Sequence, residues 1–327
     1  MDWRLTSVSE ENILSELDTY LSEIDKKLTD LENLRGTKVI LLAFHDLASI
    51  TRDVVDDFEF YLQEHMEEIK EKDIDIVLHT TGGDADAAYH LGIRLQSISE
   101  GRKLRFIILR YAKSAGTLLA CSGDEILMTP ISELGPVDPQ VYVKDRGRWI
   151  SARTVRDSFK QVIETLGESE MIKRLILSPS TSTRILSLIE TIAAATLREI
   201  PLIELGHYSS LVGHGKDLVT ELLSRRMLKN KSSSEKIEDI SKDLVETFSY
   251  HGRVIHIREA RRIGLKVIEL KEDEQNCIYE IYKIIKGLFN KIDEIILPFI
   301  RVTQLLPHIS AKKINHGLIY IPLLELA

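Results

Sequence analysis

Cysteine is almost missing from this sequence: Cys121 and Cys277 are the only two in 327 residues. So sparse a supply cannot build a disulfide framework in a chain of this length, which excludes a stapled secreted scaffold and points to a reducing compartment. Long hydrophobic runs are lacking too. The most apolar C-terminal stretch, IDEIILPFIRVTQLLPHI, is cut by Pro298, Arg301 and Pro307 before the roughly 20 residues a membrane span requires. The N-terminal MDWRLTSVSEEN has neither the basic start nor the apolar run of a signal peptide. A cytoplasmic protein without a membrane segment is expected. Excess positive charge is absent as well: the net charge is −8, which gives no general attraction to nucleic acid or anionic lipid. The one basic cluster, Arg225, Arg226, Lys229 and Lys231, reads as a solvated helix end, so no nucleic-acid partner is expected.

Material for a core is plentiful, at 43% hydrophobic residues. A chain longer than roughly 250 to 300 residues should form one large domain with appendages, or two domains. Ser7-x-x-Glu10 has the form of a capping box, and Leu14, Leu17, Leu21, Ile24, Leu28 and Leu31 then recur at steps of three and four up to Gly36. That spacing predicts an amphipathic helix, either packed on its own domain or serving as a short coiled-coil handle. The period then changes. TKVILLAFH (37–45), IDIVLHT (74–80), LRFIILRYA (104–112) and DEILMT (124–129) are short runs rich in Ile, Leu and Val that read as buried parallel strands. DVVDDFEFYLQEHMEEIKE and DADAAYHLGIRLQSI carry helical spacing between them. Residues 37–140 therefore read as an α/β core of repeated strand-helix units, with ligand sites at the strand C-terminal ends. VYVKDRGRWIS (141–151) suggests a hairpin, 153–249 is mainly helical around an exposed serine-rich loop, and REARRIGLKVIEL supplies a helix and strand ahead of a helical tail.

Two loops carry candidate chemistry. In HTTGGDADAA, Gly82 and Gly83 follow a strand directly and open a helix, so their unencumbered N–H groups can point at one atom, or the pair can simply serve a tight turn. In YAKSAGT, Ser114 stands at the next strand-to-helix junction, where a hydroxyl projects from the sheet edge beside the amide of Ala115 and the partial positive charge of a helix start. Taken alone, such a serine is a helix cap. Its placement one strand-helix unit from the paired glycines raises the alternative of a nucleophile.

LHTTGGDADAAYHLGIRL, YAKSAGTLLACSGDEILM and SELGPVDPQ, in this order and spacing over about 38–140, resemble the serine dehydrogenase proteinase family. That family is a branch of the Clp protease and crotonase superfamily, which also includes signal peptide peptidase A. Later, YHGRVIHIREARRIGLKVIEL is similar to the family's Thr-His-Asp-Tyr-Pro-Ile segment, with His251 nine residues before Ala260. The resemblance implies a Clp protease/crotonase-like fold. On it, residues 1–36 are an N-terminal helix, 37–150 the core, 151–235 a helical insertion governing access or assembly, 236–270 a return to the core carrying His251, and 271–327 a helical tail. It also implies Ser114 as nucleophile, with the amide of Ala115 and that of Gly82 or Gly83 as the oxyanion hole.

A serine hydroxyl is a poor nucleophile without a base in reach. The resemblance implies His251 as that base, with Asp138 either orienting the imidazole or closing the Pro-Val-Asp-Pro turn. The Clp subunit's own histidine position, some 25 residues past Ser114, reads GPVDPQ here and holds none. Lys113, Lys160 and Lys173 are the alternative bases, because signal peptide peptidase A pairs its serine with lysine. The sequence departs from the family at Thr81, at Lys113 and at Gly252-Arg253-Val254, the last replacing an aspartate beside the histidine. The implied activity is a serine peptidase without cofactor, acting on polypeptides as a trimer-based or ring homo-oligomer. A thioester-processing enzyme of the crotonase type and a non-catalytic scaffold are its rivals. His79 reads as packed against the glycine loop. His207 and His214 are seven apart in a run of helical spacing and His256 follows His251, but no His-Glu-x-x-His or cysteine pair accompanies them, and no metal is expected.

Overall fold

Strands that are apolar on both faces need cover on both faces, and the order of the chain supplies it. A computed structural model describes residues 10–143, 148–168, 191, 202–229, 233–248, 252–303 and 308–323. In chain order the first elements are α1 (Glu10–Arg35), β1 (Lys38–Phe44), α2 (Arg52–Ile69), β2 (Ile74–Thr80), α3 (Ala85–Ile98), β3 (Leu104–Ala112), α4 (Ala115–Ala120), β4 (Glu125–Met128) and β5 (Glu133–Leu134). The hairpin β6 (Gln140–Val143) and β7 (Arg148–Ser151) follows. Then come α5 (Ala152–Glu168), α6 (Leu202–Arg225), α7 (Ser234–Lys242) with a π-helical turn at Asp243–Thr247, α8 (Ile257–Ile263), β8 (Val267–Glu269), α9 (Glu272–Thr303), β9 (His308–Ile314) and β10 (Gly317–Leu323).

One sheet organises them, in the order β8-β4-β3-β2-β1-β10-β9, with β5 prolonging the β3 edge. Within this sheet every pairing is parallel except β9 with β10, and β6 with β7 forms a separate antiparallel pair. All seven residues of β1 and of β2 are buried, as a parallel sheet covered on both sides requires. Side chains alternate across it: Ile40, Leu42 and Phe44 join the core under α2, α3, α4 and α6, whereas Val39, Leu41 and Ala43 join the core under α1 and α9. Leu17, Ile24, Leu28 and Leu31 of α1 are buried in that second core, so the leucine repeat packs on its own domain. Lys291 reaches Glu16 at 2.9 Å and Lys27 reaches Glu280 at 2.6 Å, which fixes α1 antiparallel to α9.

Two expectations change. The segment 271–327 is not a helical tail throughout, because the helix stops at Thr303 and residues 308–323 form an antiparallel hairpin that extends the sheet beside β1. Gly317 opens its second strand at φ 139, where a Cβ would stand 2.1 Å from the Leu41 carbonyl oxygen, so only glycine permits this junction. The described part of 151–235 is helical and shares the first core, where Val219, Leu222 and Leu223 of α6 pack with the sheet. The second change concerns the basic cluster read as a solvated helix end: Arg226 is anchored, donating to Asp124 at 2.9 Å and to Ser99 Oγ at 2.5 Å.

Candidate active site

Because β2 and β3 are parallel neighbours, with Thr80 opposite Ala112, the loops that leave them emerge side by side at the C-terminal edge of the sheet. Lys113 N–H donates to the Thr80 carbonyl at 3.1 Å, and this bond clamps the two exits together. A Cβ on Gly82 would stand 2.8 Å from the Lys113 carbonyl oxygen and 3.0 Å from Ser114 Cβ. The glycine loop and the serine loop are therefore in contact, and a side chain at Gly82 would push them apart. Gly83 is held from the other side. Ile50 N–H donates to the Gly82 carbonyl and Asp84 N–H to the Ile50 carbonyl, each at 2.8 Å, and a Gly83 Cβ would lie 2.2 Å from that Ile50 oxygen.

The amides divide unequally. Gly82 N–H donates to Thr80 Oγ1 at 3.0 Å, whereas Gly83 N–H and Ala115 N–H have no acceptor among the described residues. The free pair is thus Gly83 with Ala115. Ser114 is, among the described residues, the non-glycine residue with positive φ, at φ 48 and ψ −115, and its side chain makes no capping hydrogen bond. The capping role natural to a serine at this junction is not used. The helix that follows has only six residues, so its dipole is smaller than the sequence suggested and the free amide is what remains of that argument. Small residues seat it: a Gly116 Cβ would fall 2.4 Å from Thr80 Cγ2, and Thr117 Oγ1 donates toward the Ala112 and Gly135 carbonyls, each at 2.8 Å.

Ser114, Ala115 and Gly83 line a cavity of about 680 Å³, closed by Ile50, Val137 and Leu211. Asp138 also lines it and is buried at 2% exposure. Its Oδ1 accepts from Ser151 Oγ at 2.9 Å, and Ser151 Oγ in turn accepts from Thr154 N–H at 3.0 Å. Asp138 therefore ties the turn to the start of α5. Lys113 does not extend to solvent: Nζ pairs with Glu133 at 2.6 Å and donates to the Leu134 carbonyl at 3.1 Å. Burial opposes ionisation of Glu133, but Lys113 and Arg110 outweigh it and hold the carboxyl below its ordinary range. Lys160 is exposed on α5 beside Glu164 and does not line the cavity. His251 and Lys173 lie outside the described residues. The described residues that follow His251 return to the serine side of the sheet, where Ile255 exchanges backbone hydrogen bonds with Leu134 at 2.9 and 3.0 Å.

The remaining histidines separate by surroundings. His79 faces the α9 side, against Tyr111, Tyr282 and Phe289, and burial depresses its pKa to about 4. It is a neutral core residue. His256 accepts from Glu259 N–H and caps α8, and His207 lies on α6 away from the cavity. His214 of α6 does line it, and its Nε2 lies 2.7 Å from Oδ1 of Asp86 in the first turn of α3. Sequence reasoning weighed His214 only as a metal ligand and passed over Asp86. The available signal was GHG, a histidine flanked by two glycines inside a helical run, each glycine costing roughly 0.5 to 1 kcal/mol of helix stability relative to alanine. No group of three His, Cys, Asp or Glu side chains suited to a metal ion occurs among the described residues, and none of their helices is long and apolar enough to cross a membrane.

The family of ClpP-like SDH-type serine proteinases matches residues 19–174. Two uncharacterized proteins of Methanocaldococcus jannaschii are similar over most of the chain. One is 27% identical over 266 residues, covering 79% of this chain and 78% of that protein; the other is 25% identical over 265 residues, covering 79% and 74%. Among solved structures, two variants of the membrane-bound stomatin-specific protease 1510-N align at TM-scores of 0.40 and 0.41 with 16% and 15% identity. They cover 73% of this chain and 83% and 78% of theirs, and the second is in complex with a substrate peptide.

Proposed function

We propose that this chain, whose residues 19–174 match the family of ClpP-like SDH-type serine proteinases, is a serine peptidase that cleaves peptide bonds through an acyl-enzyme at Ser114. The observation that carries the reading is the backbone of Ser114. A residue with a Cβ is held at φ 48, a conformation that costs about 1 to 3 kcal/mol, and its hydroxyl is spent on no cap although the position invites one. Strain kept at an uncommitted nucleophile facing a cavity is the arrangement of a nucleophile elbow.

The amides of Gly83 and Ala115 supply the oxyanion site. As Ser114 Oγ bonds to the scissile carbon, the carbonyl electrons move to oxygen, and two preorganised N–H groups lower the cost of that charge. Loss of one such donor typically costs about 10²- to 10³-fold in rate. Gly82 has a different part: with its own amide held by Thr80, it allows the serine loop to close against the glycine loop. A polypeptide fits a cavity bordered by Ile50, Val137, Pro139 and Leu211, no cofactor is required, and a cytoplasmic homo-oligomer completes the reading.

The test is covalent. Wild-type protein treated with a fluorophosphonate is expected to gain one adduct at Ser114 by intact mass and peptide mapping, and Ser114→Ala to gain none. Cleavage of a defined peptide library, read by mass spectrometry, should disappear with the same substitution. Wild-type protein that stays unlabelled while a control hydrolase is labelled would overturn the reading.

A further inference from the structure

We infer that His214 is the general base for Ser114 and that Asp86 positions it, an assignment that rests on the serine-peptidase reading above. His214 is, among the described residues, the histidine that lines the Ser114 cavity. With Asp86 accepting at Nε2, the neutral ring carries its proton on that nitrogen, and Nδ1 is left as the lone-pair nitrogen. The carboxylate is well placed to hold the ring. It sits in the first turn of α3, three residues past Gly83, on a helix whose N-cap Asp84 accepts from Ala87 N–H at 3.0 Å. The element that fixes the imidazole is thus continuous with the loop that supplies an oxyanion donor.

The approach of α6 is equally specific. Gly215 faces Pro139, to whose Cγ a Cβ would stand at 3.5 Å, and a Cβ on Gly213 would meet nothing within 4 Å. Packing does not demand glycine at either position. The two bare positions flanking His214 add no side chain of their own beside it. Among the described residues no lysine or arginine lines the cavity, and Lys113 is committed to Glu133.

The chemistry balances through one imidazole. Nδ1 takes the Ser114 hydroxyl proton as Oγ bonds to the carbonyl carbon, and Asp86 stabilises the imidazolium that results. Collapse of the tetrahedral intermediate breaks the C–N bond, and the proton passes from Nδ1 to the departing amine. Water then gives its proton to Nδ1, its oxygen bonds to the acyl carbon, and Ser114 Oγ leaves with that proton.

The experiment measures the second-order rate of fluorophosphonate labelling at Ser114 in the full chain. His214→Ala and His214→Gln are expected to slow labelling about 10²- to 10⁴-fold, with free imidazole restoring part of the rate to His214→Ala. Asp86→Asn should slow it too, without rescue by imidazole, because its base is still present. Both side chains are about half exposed, and such a pair contributes roughly 0 to 1 kcal/mol to stability, so the variants should melt within a few degrees of wild type. Wild type labelled at Ser114 with His214→Ala labelled within about twofold overturns the base assignment and leaves the nucleophile standing. Loss of labelling in His251→Ala with retention in His214→Ala transfers the role to His251. Wild type that does not label removes the nucleophile and this inference together.

Discussion

At Ser114 the chain holds a conformation that a glycine would adopt freely. Ser114→Ala removes the nucleophile and keeps the strain, because alanine also has a Cβ; Ser114→Gly removes both. Neither substitution opens a large hole, and no capping bond is lost in either. Relief of the strain favours Ser114→Gly over Ser114→Ala by about 1 to 3 kcal/mol, and the freer unfolded chain of glycine pulls the other way by about 0.4 to 1 kcal/mol, so Ser114→Gly is expected to be the more stable by about 0 to 2.5 kcal/mol. Paired urea melts of the two inactive variants make the comparison. A Ser114→Gly variant less stable than Ser114→Ala would mean that the positive φ carries no cost here. Residues of this kind were half legible in the sequence. Gly82, Gly83 and Ser114 announce themselves by standing where two strands end, but the unused cap of Ser114 and the committed amide of Gly82 are facts of backbone geometry. The His214–Asp86 contact spans 128 residues, and nothing local to either residue names the other.

At the scale of elements, the apolar runs at 74–80 and 104–112 became β2 and β3 with the same limits, because strands covered on both faces are built mostly from apolar residues. The C-terminal hairpin was misread as helix for the converse reason. HISAKKINHGLIYIPLL mixes lysines into its first strand, and β9 is an edge strand that need bury only part of itself. A glycine after a two-residue turn was the cue. The small helix α4 seats closely on the sheet through Gly116. A Cβ at Gly116 meets the Thr80 methyl at 2.4 Å and Ala112 Cβ at 3.3 Å. Gly116→Ala should therefore cost about 1 to 3 kcal/mol by overpacking. Thr80→Ser removes the offending methyl while keeping the hydroxyl that receives Gly82 N–H. The double variant should be more stable than the sum of the single effects by about 0.5 kcal/mol or more, the coupling expected of residues in contact. Strict additivity in a double-mutant cycle would show that α4 moves away from β2 and does not press against Thr80.

At the scale of the whole molecule, the two ends of the described chain meet far from the cavity. Asp25 of α1 receives three hydrogen bonds from the turn between β9 and β10: Asn315 Nδ2 at 2.6 Å, His316 N–H at 3.1 Å and the His316 ring Nδ1 at 2.7 Å. The turn is in register with β1, since Leu41 N–H donates to the His316 carbonyl at 2.5 Å. The aspartate thus pins the last two strands of the sheet to the first helix. Its side chain is 18% exposed and that of His316 11%, so solvent cannot replace these bonds freely. A hydrogen bond to a charged group is worth about 1.5 to 3 kcal/mol, and leaving buried donors unmet adds to the loss. Asp25→Ala is expected to destabilise the protein by about 2 to 4 kcal/mol, and amide exchange should rise first in residues 308–323. The site residues lie on the other core, under α3, α4 and α6, while Asp25 belongs to the α1 and α9 layer. Labelling of Ser114 in the still-folded variant should therefore keep its wild-type rate. Exchange that rises uniformly across the sheet would mean that the hairpin and the catalytic half unfold as one unit, and that the clamp supports the site directly.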